Sequence, residues 1–424
     1  MALSQNNFQT AETNIAIVYL SRTDIRPLTR DVLIDKGIDS IKSPGTLEEC
    51  KIELEQHPDA LLICDWEQGQ LEVVSLLKNE QKQFSAVSRP IYLMCRQADP
   101  KVIATAHEYS VTTVHSGEIS KAAIGRHLDT ILSSGGDFSS IRNELAHAKA
   151  CREQAKWQDS KKVFQDLRIR FPNENRFTVE VASDLINMDH WDEAYPLLEE
   201  VVITDELNLR ALHLFARCHM RSGDYDKALK LLSSAQTFNP FHPHRLVDLG
   251  KCLLQIDDIA TARQAFDDAL ELDCELREAI ILKGQCDLMD GHIKEGLDLI
   301  SEISGPKELA SIFNNAAILT IRHERFQAGV ALYETAIASL GKGPKPRTQA
   351  KLIFNLGLGY LRWKKEDEAL ECFEKALHLD PQFRKAAHNA KVTAASLGRD
   401  AAIAPQNTAK KTDKRIAEDF ETEI

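Results

Sequence analysis

At 424 residues the chain is too long for one small core, and its 43% hydrophobic and 27% charged residues suit a soluble protein of two or more structural units. A net charge of −12 argues against a general nucleic-acid or anionic-membrane binder, since either needs a basic face, and no apolar run approaches the roughly 20 residues that span a bilayer. The polar residues 1–14 carry no secretory pattern, and nine cysteines without a CxxC pair read as buried thiols of a reducing compartment, so the expected location is cytoplasmic.

After an N-terminal tail (1–13), residues 14–132 alternate short apolar runs with amphipathic stretches. The runs IAIVYL (15–20), DSIKS (39–43), ALLIC (60–64), IYLMC (91–95) and VTTV (111–114) predict five strands. Helices are predicted between and after them over 24–36, 46–56, 71–80, 100–109 and 119–132. Short buried strands separated by helix-length segments imply βαβ units, hence a doubly wound parallel sheet whose site lies at the strands' carboxyl ends. The small polar stretch SSGGDFSS predicts a linker over 133–140.

Beyond it the strand signal stops and a period of about 34 residues begins. Superposition at that spacing aligns WQDSKKVFQDL (157–167), WDEAYPLLEEV (191–201), YDKALKLLSSA (225–235), IATARQAFDDA (259–269), IKEGLDLISEI (293–303), FQAGVALYETA (326–336) and EDEALECFEKA (366–376). The copy from Ala350 carries Leu356, Gly357 and Tyr360 in its first helix, Ala369, Phe373 and Ala376 in its second, and Pro381 after it. These positions resemble the tetratricopeptide repeat, which implies two-helix units in which small Gly357 and Ala369 let the helices approach while Tyr360 and Phe373 fill the space beside them. Copies start near 141, 175, 209, 243, 277, 310 and 350, giving about seven repeats over 141–383, the last set off by the loop GKGPKP. The first copy departs from the pattern with His147 and Ser160 at core positions, as an end repeat facing the N-terminal domain would. The 277 copy has Gly296 where alanine is usual. A capping helix (384–398) and a flexible charged tail (399–424) complete the chain.

The segments 23–37, CDWEQG (64–69) and RPIYLMC (89–95) resemble the receiver domain of bacterial response regulators. The fold class expected is therefore an α/β flavodoxin-like receiver domain with a five-stranded parallel sheet, followed by an all-α tetratricopeptide solenoid. The resemblance makes Asp65, with Trp66 beside it, the phosphoacceptor candidate. The family's other positions are degenerate. Leu20 and Ser21 stand where an acidic pair binds Mg²⁺, Cys95 stands in place of a hydroxyl, and His115 stands near the place of a lysine. Phosphoryl transfer to a carboxylate needs a cation to neutralise charge, so Asp65 alone implies at most a weak Mg²⁺ site. Asp24 is expected to cap the first helix.

No catalytic or metal constellation stands out, and a non-enzymatic role is expected. Trp157, Trp191, Tyr225 and Phe326 recur at one repeat position and read as packing. A protein partner is expected along the first helices, where Arg210, His213 and Arg217 share one face, followed by His244 and Lys251 beside Val247, and then by apolar Ile281, Leu288, Ile318 and Phe354. A face basic at one end and apolar at the other suits an acidic amphipathic segment, either a partner's or the chain's own tail EDFETEI (418–424). The expected function is a signalling adaptor of two-component type, with a sensor kinase as candidate input. The alternative is a constitutive assembly scaffold, for a surface appendage or secretion pathway, with a phosphorylation-independent pseudo-receiver.

Overall fold

The computed structural model describes residues 15–67, 70–83, 89–97, 99–109, 111–339 and 346–399. The expected N-terminal tail, most of the GKGPKP loop and nearly all of the C-terminal tail lie outside them. The chain divides into two compact units between His242 and Pro243.

The first unit opens with β1 (Ile15–Tyr19), α1 (Ile25–Asp35), β2 (Ser40–Lys42), α2 (Leu47–Gln56), β3 (Leu61–Asp65), α3 (Gln70–Gln83), β4 (Ile91–Cys95), α4 (Pro100–Glu108) and β5 (Thr113–Ser116). All strand pairs are parallel, in the order β2-β1-β3-β4-β5. β3 and β4 are buried at every position, as strands covered on both faces must be. Alternate residues feed two cores: Ile17, Leu62, Cys64 and Leu93 pack with Leu54, Leu77 and Val102, while Val18, Ile63, Tyr92 and Met94 pack with Leu33, Ile124 and Leu128. Helix starts are fixed by side chains: Thr46, Asp99 and Ser120 accept from the backbone N–H three residues on, and Pro100 sits where a missing donor costs nothing. Asp24 departs from expectation, because its carboxylate pairs with Arg22 at 2.5 Å and makes no cap.

The expected linker is not a linker. Helix α5 runs from Lys121 to Glu153 without a break through 133–140. Each interior glycine there costs about 1 kcal/mol of helix stability relative to alanine. Both ends are held, however: Ile124, Leu128 and Ile131 are buried in the sheet's core, and Ile141, Leu145 and Ala148 in a helical core. His147 is corrected too. It lies on the exposed side, and Ala148 takes the core seat.

The rest of the first unit is α6 (Trp157–Arg170), α7 (Asn175–Asn187), α8 (Trp191–Thr204), α9 (Leu209–Arg221) and α10 (Tyr225–Phe238). The second unit holds α11 (Pro243–Gln255), α12 (Ile259–Leu272), α13 (Arg277–Met289), α14 (Ile293–Ser301), α15 (Pro306–Arg322), α16 (Phe326–Ser339), α17 (Pro346–Arg362), α18 (Glu366–Leu379) and α19 (Arg384–Ser396). Within each unit, successive helices pack on one another. The turn inside each pair places one residue at positive φ: Ala155, Asp189, Gly223, Asp257, Gly291, Glu324 and Lys364, with Gly398 closing α19. Most of these are about 34 residues apart, so the sequence period reappears as a backbone period. The eighth residue of each repeat copy is small and sits under the second helix. At Gly357 an added Cβ would lie 2.6 Å from the Phe373 ring.

Candidate functional site

Asp65 closes β3 and is 1% exposed. Its Oδ2 accepts from the Ser21 N–H at 2.9 Å, the Ser21 hydroxyl at 2.8 Å and the Arg22 N–H at 3.2 Å, and Oδ1 lies 3.1 Å from the Ser21 nitrogen. The carboxylate thus fastens the end of β3 to the turn after β1. Hydrogen bonds to a charged group contribute roughly 1.5–3 kcal/mol each, so this arrangement is strongly held. The surroundings do not suit Mg²⁺. Leu20 is a fully buried hydrocarbon, and Ser21 spends its hydroxyl proton on Asp65. Among the described residues, no group of three or more His, Cys, Asp or Glu side chains is placed to hold a metal ion.

The other degenerate positions, Cys95 and His115, are buried as well. Cys95 is buried and its thiol donates to the His115 carbonyl at 3.4 Å. β5 ends at Ser116, which registers with Cys95, so His115 is not the residue that closes the strand. Its imidazole lies buried beside β4 and α5, with the Tyr92 hydroxyl 2.7 Å from Nδ1, the Glu118 carbonyl 3.2 Å from Nε2 and the His127 ring 4.6 Å away. Burial first, and then the neighbouring His127, push the imidazole below its usual range.

The joint between the sheet domain and the helices differs from expectation. Besides the continuous α5, it includes a second contact, where Ala104 of α4 packs with Leu209 and Leu212 of α9 and Ala235 of α10. At its centre Asn239 Nδ2 donates to Glu108 Oε2 at 2.6 Å, and Phe241 packs against the sheet's own core. His242 Nε2 is 3.9 Å from Glu108 Oε1, and the His242 ring meets that of His213 edge-on at 5.3 Å.

In the first helices, the expected basic residues are mostly committed internally. Arg210 pairs with Glu180 at 2.9 Å, and Glu180 also takes Arg152 at 2.6 Å. Arg152 reaches Asp184 at 2.7 Å, and fully buried Ser160 donates to the same carboxylate at 2.7 Å. Ser160 is therefore part of a buried polar network, a role its polar character at a core position could have signalled. Burial works against the Glu180 charge, yet Arg210 and Arg152 hold its carboxyl below the usual range. Arg217 lies over the Trp191 ring at 5.9 Å.

In the second unit, His244 is exposed and Lys251 bridges Asp248 at 3.0 Å and Glu278 at 2.7 Å. Ile281 is half-buried. Leu288, Ile318 and Phe354 are buried and drop out as contact residues. Leu288 is covered because Gly296 brings α14 close: a Cβ there would meet Leu288 Cγ at 3.0 Å. Phe354 packs on Phe373 and Phe383 at 5.5 and 4.9 Å between ring centroids.

The helix pairs are of the tetratricopeptide kind. Residues 350–383 match the tetratricopeptide repeat family, and residues 187–269 match the family described as anaphase-promoting complex, cyclosome, subunit 3. No curated protein matches. Among solved structures, a tetratricopeptide repeat protein from Parabacteroides merdae is 18% identical, with a TM-score of 0.40 over 60% of this chain and 99% of its own. YrrB, a TPR protein with an unusual peptide-binding site, is 17% identical, with a TM-score of 0.30 over 54% and 97%. A chain of the APC/C hetero-tetramer Cut9–Hcn1 is 16% identical, with a TM-score of 0.41 over 82% of this chain and 59% of that one. Such repeats are typically non-catalytic protein-binding scaffolds, and no helix among the described residues is long and apolar enough to cross a membrane.

Proposed function

We propose that this chain is a cytoplasmic, non-enzymatic protein-interaction scaffold whose N-terminal domain is a receiver-like fold that works without phosphorylation. The observation that carries this reading is Asp65, whose carboxylate is buried and occupied by three donors from Ser21 and Arg22. A phosphoacceptor must offer an oxygen to the phosphorus and share a cation with it, whereas this carboxylate would have to break its own anchor first. The strand order 2-1-3-4-5 supports the receiver-like assignment, because it is the flavodoxin-like order. The adaptor of a sensor kinase is accordingly the second-placed reading.

The working surfaces are the first helices of the repeats, taken within each unit separately. Within the first unit a bound segment would meet His213 and Arg217; within the second, taken by itself, it would meet His244 and Ile281. Arg210 and Lys251 contribute less charge than their residue types suggest, because Glu180, Asp248 and Glu278 neutralise them. The partner is thus selected more by shape and apolar contact than by net negative charge.

The test is quantitative capture of interacting proteins by the wild-type chain, Asp65→Asn and the pair Arg217→Glu and Ile281→Asp. The expected result is an unchanged partner set for Asp65→Asn and a loss of about tenfold or more for the surface pair, as hot-spot truncations give. Dependence on Asp65 with indifference to the surface pair would reverse the reading.

A further inference from the structure

Helix α19 ends the described helices, and its outer face is unlike any before it. The small residue that receives a second helix is Ala148, Ala182, Ala216, Gly250, Gly284, Ala317 and Gly357 in successive copies. In α19 the same repeat position holds Lys391, which is exposed. No second helix can close onto α19 as α18 closes onto α17, where a Cβ at Gly357 would lie 2.6 Å from the Phe373 ring. The inner face is conventional, with Ala386, Ala390 and Ala394 buried. The outer face carries Arg384, Lys385, His388 and Lys391, all exposed, together with Val392 at 39% exposure. The helix has no acidic residue, in a chain of net charge −12.

We infer that the occupant of this face is the chain's own segment 416–424. Its sequence IAEDFETEI places Ile416, Phe420 and Ile424 four residues apart, one stripe if the segment is helical. Glu418, Asp419, Glu421 and Glu423 supply four carboxylates and the segment has no basic residue, the charge inverse of α19. Residues 400–415 connect the two, and such a connector spans up to about 50 Å, far more than a one-helix return requires. The stripe covers Val392 and the exposed alanine beside it, and the carboxylates meet Lys391, Lys385 and Arg384. Tethering supplies the complementary segment at millimolar effective concentration, so a weak intrinsic affinity is enough. The assignment is independent of what the first helices bind.

The experiment is hydrogen–deuterium exchange of α19 in the full chain at two concentrations, compared with a chain lacking 412–424. Deletion is expected to speed exchange across α19 by about fivefold or more, with the other helices unchanged. Adding a synthetic 412–424 peptide restores protection in a salt-sensitive manner. Lys391→Glu reproduces the deletion. Changing Arg384, Lys385 and Lys391 together to Glu, combined with Glu418, Asp419, Glu421 and Glu423 all changed to Lys, restores protection, which separates lost pairing from lost folding. Unchanged exchange on deletion, or failure of the charge swap to rescue, overturns the inference. Protection that vanishes on dilution of the intact chain assigns the face to a second copy and equally overturns it.

Discussion

Asn239 Nδ2 donates to Glu108 Oε2 at 2.6 Å, a buried contact between residues 131 positions apart in sequence. It joins α4 of the sheet domain to the turn after α10, inside a patch formed by Ala104, Leu209, Leu212 and Ala235. The carboxylate also lies 3.9 Å from His242, so one acid gathers two residues of the same turn. The domain is thereby fixed to the third helix pair and does not hang from α5 alone.

Replacing Asn239 with Ala removes the donor and leaves the Glu108 carboxylate buried with less satisfaction. The expected cost is about 1–3 kcal/mol. Thermal unfolding should then lose cooperativity between the sheet domain and α9–α10, and limited proteolysis should cut faster near 239–242. Glu108→Gln, which keeps one acceptor, should cost less.

Removing the Asp65 carboxylate orphans the Ser21 and Arg22 N–H groups at the end of β1. Asp65→Ala should lower stability by roughly 3 kcal/mol or more, at about 1–3 kcal/mol for each buried donor left unmet. Asp65→Asn retains one acceptor oxygen and should fall between the two. Urea midpoints of the three proteins give the order directly.

The buried His115 predicts a pH dependence. Its folded-state value is lowered by burial and by His127, so the unfolded chain binds the proton first. Stability is then complete above the ordinary histidine value of about 6.5 and declines as pH falls through the window beneath it. His127, lowered by burial and Arg126, acts in the same direction. His115→Gln should flatten the stability–pH profile below about pH 6.5, where one linked proton accounts for at most about 1.4 kcal/mol per pH unit. A profile as steep as that of the wild type would remove the assignment.

Gly296→Ala would ordinarily favour a helix by about 1 kcal/mol. Here the added Cβ would lie 2.7 Å from the Gly284 carbonyl oxygen and 3.0 Å from Leu288 Cγ. The substitution is therefore expected to destabilise α13 and α14 by roughly 1–3 kcal/mol, the cost of overpacking. Circular dichroism melts of the two proteins decide the sign.

Apolar runs bounded by polar turns marked β1, β3 and β4 to within about one residue, while the short, partly exposed β2 and β5 were placed to within about two. The two-helix period was equally plain, and it returns as positive φ at Asp189, Gly223 and Asp257. The continuity of α5 was hidden, since SSGGDFSS has the composition of a turn, and buried residues on either side, Ile131 and Ile141 nearest to it, hold the helix. Glu108 and Asn239 gave no sequence signal, because a pairing across 131 residues has no local pattern. Asp65 was placed at the right strand end, but its partners are mainly backbone N–H groups, to which residue identities are silent. Leu288 looked like a contact residue because the close approach of α14 at Gly296 belongs to packing and not to helix period.

The central claim is that Asp65 anchors β1 to β3 and does not accept phosphate. The direct measurement is the intact mass of the full chain after incubation with Mg²⁺ and a small-molecule phosphodonor, beside Asp65→Asn treated identically. Both proteins should keep their unmodified mass. A single phosphoryl adduct on the wild type, absent from Asp65→Asn, would contradict the account.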